Sequence, residues 1–182
     1  IILPDTLSDA AKVAENKNRD EGYLTDKYTF TGYAWFRRSC TLESDMTGLV
    51  SILTLERTRV STLYIDGAEV GTCDSLCSSH RYDISSYMTA GTHEIVIRVA
   101  NVGYKTGGGH MTSPDTQTNW LGIVGKMNIE IYPKSYISDV RVIASADGSL
   151  SVRGLVNGAD NAVVTATVTT PGGIRVLKAN II

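Results

Sequence analysis

The sequence predicts an all-β fold of the sandwich or jelly-roll type, and three observations carry that expectation. Apolar residues recur with period two in short runs, as in Glu94-Ile95-Val96-Ile97-Arg98-Val99-Ala100, where Ile95, Ile97 and Val99 share one face. Turn pairs such as Asp66-Gly67, Asp147-Gly148 and Asn157-Gly158 punctuate those runs. Nowhere does a helical period persist long enough for a convincing helix, so short strands joined by turns are the expected architecture.

Residues 1–27 are polar and irregular, and Asp9 to Asn16, with Ala10, Ala11, Val13 and Ala14, could make a short helical turn. Tyr33 to Leu42 reads as a strand because aromatic and β-branched residues suit a pleated surface. Val50 to Leu55 is a second strand. Thr62-Leu63-Tyr64-Ile65, then Asp66-Gly67, then Ala68-Glu69-Val70 is a hairpin, since Asp-Gly supplies the positive φ angles of a type I′ turn. Tyr82-Asp83-Ile84 opens a short turn ending at Tyr87, and Glu94 to Ala100 follows as a strand. A long loop runs from Asn101 to about Trp120. Gly122-Ile123 begins a strand expected to continue through Met127, Ile129 and Ile131.

Near Pro133 the character shifts, so 1–133 reads as one domain and 134–182 as another. The segments Asp139–Ala144, Ser149–Leu155, Ala162–Thr169 and Ile174–Leu177 read as an antiparallel meander, like the start of an immunoglobulin-like sandwich. Such a sandwich needs about 100 residues, so the second domain is expected to be truncated.

Bulk properties narrow the function classes. Of 182 residues, 17 are Lys or Arg and 19 are Asp or Glu, giving a net charge of −2. That balance offers no broad basic face for a phosphate backbone, so nucleic acid is not an expected partner. No run approaches the ~18 apolar residues that suggest a membrane span. The chain opens on Ile1-Ile2-Leu3-Pro4 without a signal-peptide pattern, which fits either a removed leader or a start inside a longer protein. Cys40, Cys73 and Cys77 form no disulfide framework, and the thiols read as free or packed. No metal or cofactor is expected.

Several local motifs, in order, resemble the N-terminal sugar-binding domain of glycoside hydrolase family 2, which contains β-galactosidases, β-glucuronidases and β-mannosidases. Leu3-Pro4-Asp5-Thr6 is similar to the family's opening Leu-Pro-Gly-Thr, and Gly32-Tyr33-Ala34-Trp35-Phe36-Arg37-Arg38 to its Gly-x-Ala-Trp-Tyr-Arg-Arg strand. Val60 to Gly71 matches the family hairpin. Tyr82-Asp83-Ile84 with Gly91-Thr92-His93-Glu94-Ile95, closed by Asn101, resembles the passage that follows it. Most specific is Asp115-Thr116-Gln117-Thr118-Asn119-Trp120-Leu121-Gly122-Ile123, which looks like the Trp-x-Gly-Ile signature. The resemblance covers roughly 3–133, with the remainder resembling the immunoglobulin-like domain that follows.

The resemblance implies a galactose-binding-like jelly roll, a parent enzyme that hydrolyses O-glycosyl bonds, and export to the periplasm or cell surface. It also implies two barrel-borne glutamates about 5–5.5 Å apart in a retaining mechanism. A (β/α)8 barrel typically needs ~250 residues, which this chain cannot hold beside two β-domains, and it has no Asn-Glu dipeptide. The expected role is therefore non-catalytic: to pack on a catalytic barrel of the same polypeptide and lend a loop to a pocket for a β-glycoside.

The candidate loop is Gly103–Trp120, with His110, Asp115, Gln117, Asn119 and Trp120 as candidate substrate-binding residues. Amides and carboxylates suit paired sugar hydroxyls, and an aromatic face suits the apolar side of a pyranose. Three of them have a plainer reading: Trp120 as core filler, Asn119 as a loop cap, His110 as an exposed loop residue. Family β-galactosidases carry an Asp two residues before the signature Trp that helps bind an ion and the sugar. Thr118 stands there, a departure from the part of the pattern that the ion site and galactose preference rest on. Gly107-Gly108-Gly109 lacks the Gly-Lys-Ser/Thr ending and following helix of a phosphate loop. A stand-alone carbohydrate-binding module is the alternative from a different class, separable by calorimetric titration with sugars.

Overall fold

The computed structural model describes residues 1–17, 26–105, 109, 112, 119–173 and the backbone of 175–181. The chain forms two compact units, Ile1–Ile131 and Tyr132–Ile182.

In the first unit the strands are β1 (Asp5–Thr6), β2 (Tyr33–Leu42), β3 (Val50–Leu55), β4 (Val60–Ile65), β5 (Ala68–Cys73), β6 (His80–Asp83), β7 (Gly91–Ala100), β8 (Gly122–Ile123) and β9 (Met127–Tyr132). One sheet runs β2-β7-β4-β5 and the other β6-β3-β9, with β1 and β8 paired beside them. Leu63 and Ile65 of β4 and Ile97 and Val99 of β7 face Leu53 and Leu55 of β3, Tyr82 of β6, and Ile84, Met88, Leu121 and Ile123. The core thus lies between the two sheets, and the fold is an all-β sandwich. Period-two patterning produces it: Ile97 and Val99 are buried while Arg98 between them faces outward.

The hairpin turn has Asp66 at φ 51° and Gly67 at φ 81°, the left-handed pair a type I′ turn requires. Asp66 contributes more than its backbone. Its carboxylate accepts the Glu94 N–H at 2.8 Å and faces His93 Nδ1 at 2.7 Å, tying the turn to β7.

Three expectations for this first unit are corrected. The turn of the polar N-terminal segment spans 7–11 rather than Asp9 to Asn16, and Glu15 bridges to Tyr28 instead. Thr6 Oγ1 accepts the Asp9 N–H at 3.0 Å, and Lys12 N–H reaches the Leu7 carbonyl at 3.1 Å. The run from Gly122 to Ile131 is two strands, because residues 124–126 cross from β1's partner to β3's. Gly125 marks the break: a Cβ there would stand 2.6 Å from Glu56 Cβ. His80 and Arg81, unassigned from sequence, form a strand with Tyr82 and Asp83 against β3.

The second unit holds β10 (Tyr136–Ala144), β11 (Leu150–Asn157), β12 (Val164–Thr169) and β13 (Arg175–Ile181). These form two separate hairpins, β10-β11 and β12-β13, rather than the single meander expected. A bulge interrupts β10 where Asp139 takes φ 51° and the register shifts between Ser138 and Arg141. No residue from 132 to 173 is buried, and large apolar side chains stay open to water, among them Val140, Val142, Ile143 and Leu155. Among the described residues no helix is long and apolar enough to cross a membrane.

Candidate functional site

His110, Asp115 and Gln117 lie outside the described residues, whereas Asn119 and Trp120 sit where the loop re-enters the sandwich. Their anchor is Asn101, 2% exposed just past β7. Its Nδ2 donates to the carbonyls of Phe30 at 2.7 Å and Asn119 at 2.9 Å, while its Oδ1 accepts the Gly32 N–H at 2.9 Å. One carboxamide therefore fastens the approach to β2, the end of β7 and the loop exit together. A buried amide so fully satisfied resists replacement by any other side chain.

The Asn119 side chain is also held. Tyr104 donates its phenol hydrogen to Asn119 Oδ1 at 2.9 Å. Burial raises the Tyr104 pKa, opposed by the nearby Arg59 cation, so the phenol stays protonated and donating at neutral pH. Trp120 is half-buried. Arg59, 2% exposed, places its guanidinium 4.2 Å from the centre of the indole and donates Nε–H to the Trp120 carbonyl at 3.2 Å. Desolvation pulls the Arg59 pKa down, yet a guanidinium in protein keeps its charge. This buried cation is stabilised in part by the face of the indole.

Trp120 lines a cleft of about 280 Å³ with Glu56, Arg57, Thr58, Arg59, Leu76, Cys77 and Ser78. Two of these polar groups work for the scaffold. Thr58 Oγ1 donates to the Gly122 carbonyl at 2.8 Å, and Glu56 accepts the Lys126 N–H at 2.7 Å. Among the described residues lining the cleft, Glu56 is the one carboxylate.

A second constellation has the composition of a nucleophile and base but not the setting. Ser61 Oγ lies 2.6 Å from His80 Nδ1 and 2.6 Å from the Tyr82 hydroxyl, and His80 Nε2 lies 2.7 Å from the Ser75 carbonyl. Burial lowers the His80 pKa, so the neutral ring donates through Nε2 and accepts from Ser61 at Nδ1. Ser61 and His80 are 0% and 1% exposed; no substrate reaches them, and the network is structural. Cys40, Cys73 and Cys77 are free thiols, and no group of three or more potential metal ligands occurs among the described residues.

Sequence reading singled out neither Arg59 nor Tyr104, and saw Asn101 only as the close of a passage. A cation directly ahead of an apolar strand, as in Thr58-Arg59-Val60, was the available signal. What it lacked was the partner, since Trp120 lies far along the chain.

No protein-family model matches the sequence, and no curated protein matches it. Solved structures do match in fold. A glycosyl hydrolase family 2 member from Bacteroides cellulosilyticus superposes with a TM-score of 0.67 at 15% identity, covering 100% of this chain and 24% of that one. A calcium-binding mutant of Bacteroides uniformis β-glucuronidase 2 gives 0.70 at 24% identity, covering 100% and 22%. Ruminococcus gnavus β-glucuronidase gives 0.71 at 14% identity, covering 99% and 31%. This chain therefore has a fold found in glycoside hydrolases, and it spans about a quarter to a third of their length.

Proposed function

We propose that this chain is a non-catalytic β-sandwich region of a family 2 glycoside hydrolase. In this reading it packs on a catalytic barrel of the same polypeptide and holds the Gly103–Trp120 loop at the rim of a pocket for a β-glycoside. The first unit corresponds to a galactose-binding-like jelly roll and the second to part of an immunoglobulin-like sandwich. The observation that carries the reading is the locked loop exit. Asn101, Tyr104 and Arg59 fix both the backbone and the side chains of Asn119 and Trp120, giving a loop a rigid base from which to present recognition groups. The likeness to glycoside hydrolase structures supports the same assignment. So do the open apolar side chains of the second unit, which suit burial against further protein.

Catalysis lies outside this reading because hydrolysis with retention needs two close carboxyl groups flanking the scissile bond, which the family carries on a barrel of ~250 residues that 182 residues cannot hold beside two β-units. Purified chain incubated with aryl β-glucuronide and aryl β-galactoside is expected to release no phenol above the uncatalysed rate. Turnover that survives repurification would overturn the assignment. In a polypeptide that includes the barrel, Trp120→Ala is expected to raise KM for the glycoside by about tenfold, the cost of losing roughly 1.4 kcal/mol of ring contact. Unchanged kinetics would remove the loop from the pocket.

A further inference from the structure

The outer face of the β2-β7-β4-β5 sheet carries aromatic side chains that the core does not use. Tyr33 and Trp35 on β2 are 56% and 59% exposed. The Tyr64 ring on β4 lies 5.7 Å from that of Trp35, tilted by 34°, so the two aromatics lean toward each other over the intervening β7. Register explains the arrangement. Trp35, Arg98, Thr62 and Thr72 stand directly opposite one another on β2, β7, β4 and β5, and Tyr64 belongs to the neighbouring row, opposite Val96.

Arg98 lies within this patch, 5.5 Å from the centre of Tyr33 and 5.8 Å from that of Trp35. Its Nη2 donates to Thr62 Oγ1 at 2.9 Å, and Thr62 and Thr72 share a hydroxyl contact at 2.8 Å. That bond occupies one of five guanidinium donors. Arg98 forms no salt bridge among the described residues. The nearby carboxylates are otherwise engaged: Glu94 is 3.6 Å from Arg37, and Glu69 accepts from Thr72 at 3.4 Å.

From this geometry we infer that the outer sheet face binds a uronate-bearing glycan, its pyranose rings lying on Trp35 and Tyr64 and a carboxylate meeting Arg98. The apolar C–H face of a pyranose packs on an aromatic ring as other apolar groups do. A planar guanidinium beside aromatic rings keeps N–H donors that match the two oxygens of a carboxylate. The residues are mounted on paired strands, so little ordering remains to be done on binding. This face is separate from the Trp120 cleft, and its failure would leave the pocket-rim reading standing, because one is read by glycan retention and the other by glycoside kinetics.

Affinity electrophoresis of the whole chain in gels containing polygalacturonate, or the same polymer as its neutral methyl ester, tests the inference. Retardation by polygalacturonate is expected, with the ester at least about tenfold weaker, equivalent to one lost charged contact. Trp35→Ala should abolish retardation in both gels, and Arg98→Gln should remove the preference for the acid form. Both residues face outward, and unchanged thermal midpoints will confirm that the variants fold; if either shifts, Tyr33→Ala serves as the second aromatic variant. Absence of retardation in both gels, equal retardation in both, or retention that survives Trp35→Ala would overturn the proposal. So would a self-associated chain in sedimentation that Trp35→Ala renders monomeric without any glycan effect.

Discussion

Two histidines of this chain respond to pH in opposite directions, and the difference lies in what each ring nitrogen meets. His80 is buried between a serine hydroxyl and a backbone carbonyl, and desolvation lowers its pKa below 6.5. The unfolded chain therefore binds a proton at His80 before the folded chain does, and stability falls as pH drops below about 6.5, by at most about 1.4 kcal/mol per pH unit. His93 faces the Asp66 carboxylate at 2.7 Å through Nδ1 and the Thr89 carbonyl at 2.9 Å through Nε2. The Asp66 hydrogen bond is the main cause of its raised pKa. Its contribution is complete below pH 6.5 and is lost as pH climbs through the raised value. Urea denaturation at pH 5 and pH 7 is expected to show a smaller loss on acidification in His80→Gln than in the parent chain. In His93→Gln the loss on acidification should be larger. Identical pH dependence in all three proteins would contradict both assignments. Arg59 supplies a further expectation at this scale. Arg59→Lys keeps the charge but loses the guanidinium over the Trp120 ring and the Nε bond to its carbonyl, and should cost about 1–3 kcal/mol in denaturant unfolding, with a shift in tryptophan emission.

At the scale of elements, close backbone approach decides which positions tolerate change. Gly122 opens β8 against β1, where a Cβ would collide with the Asp5 carbonyl oxygen and stand 2.8 Å from Thr6 Cα. Both obstacles are backbone, so neither can swing aside. Gly122→Ala is expected to destabilise by about 2–4 kcal/mol and to loosen Leu121 and Ile123 from the core, as a lowered urea midpoint will show. Gly67, with open space around its Cα but φ at 81°, should lose only about 1 kcal/mol on change to Ala, since the cost there is conformational. The contrast between the two glycines separates steric from dihedral cost within one protein.

Across the whole molecule, burial is uneven. The first unit encloses Leu55, Leu63, Val99 and Ile123 at 0% exposure, whereas the second buries no described residue between 132 and 173. Local stability follows buried apolar contact. Amide exchange should therefore protect β3, β4 and β7 strongly and β10 and β11 weakly, with the second unit exchanging before the first unfolds globally. Equal protection in the two units would show that the open apolar side chains are covered in solution.

Local residue pattern was enough for the strand bodies and turns: Tyr33–Leu42 and Val50–Leu55 occupy the predicted ranges, and Asp66-Gly67 adopts the angles its chemistry favours. Alternation and turn dipeptides are short-range properties, and short-range sterics act on them directly. Trp120 and Asn119 stand out in the sequence only by their place ahead of a Gly-Ile strand start. Their clamps do not. Asn101, Tyr104 and Arg59 become neighbours of that pair by folding, across as many as 61 positions for Arg59 and Trp120, and no periodicity encodes such a meeting. The division between β8 and β9 and the outward row of Trp35, Arg98 and Thr62 arise likewise from strand pairing between distant segments. Partner choice across a sheet depends on which surfaces exclude water together, and that is a property of the assembled sandwich.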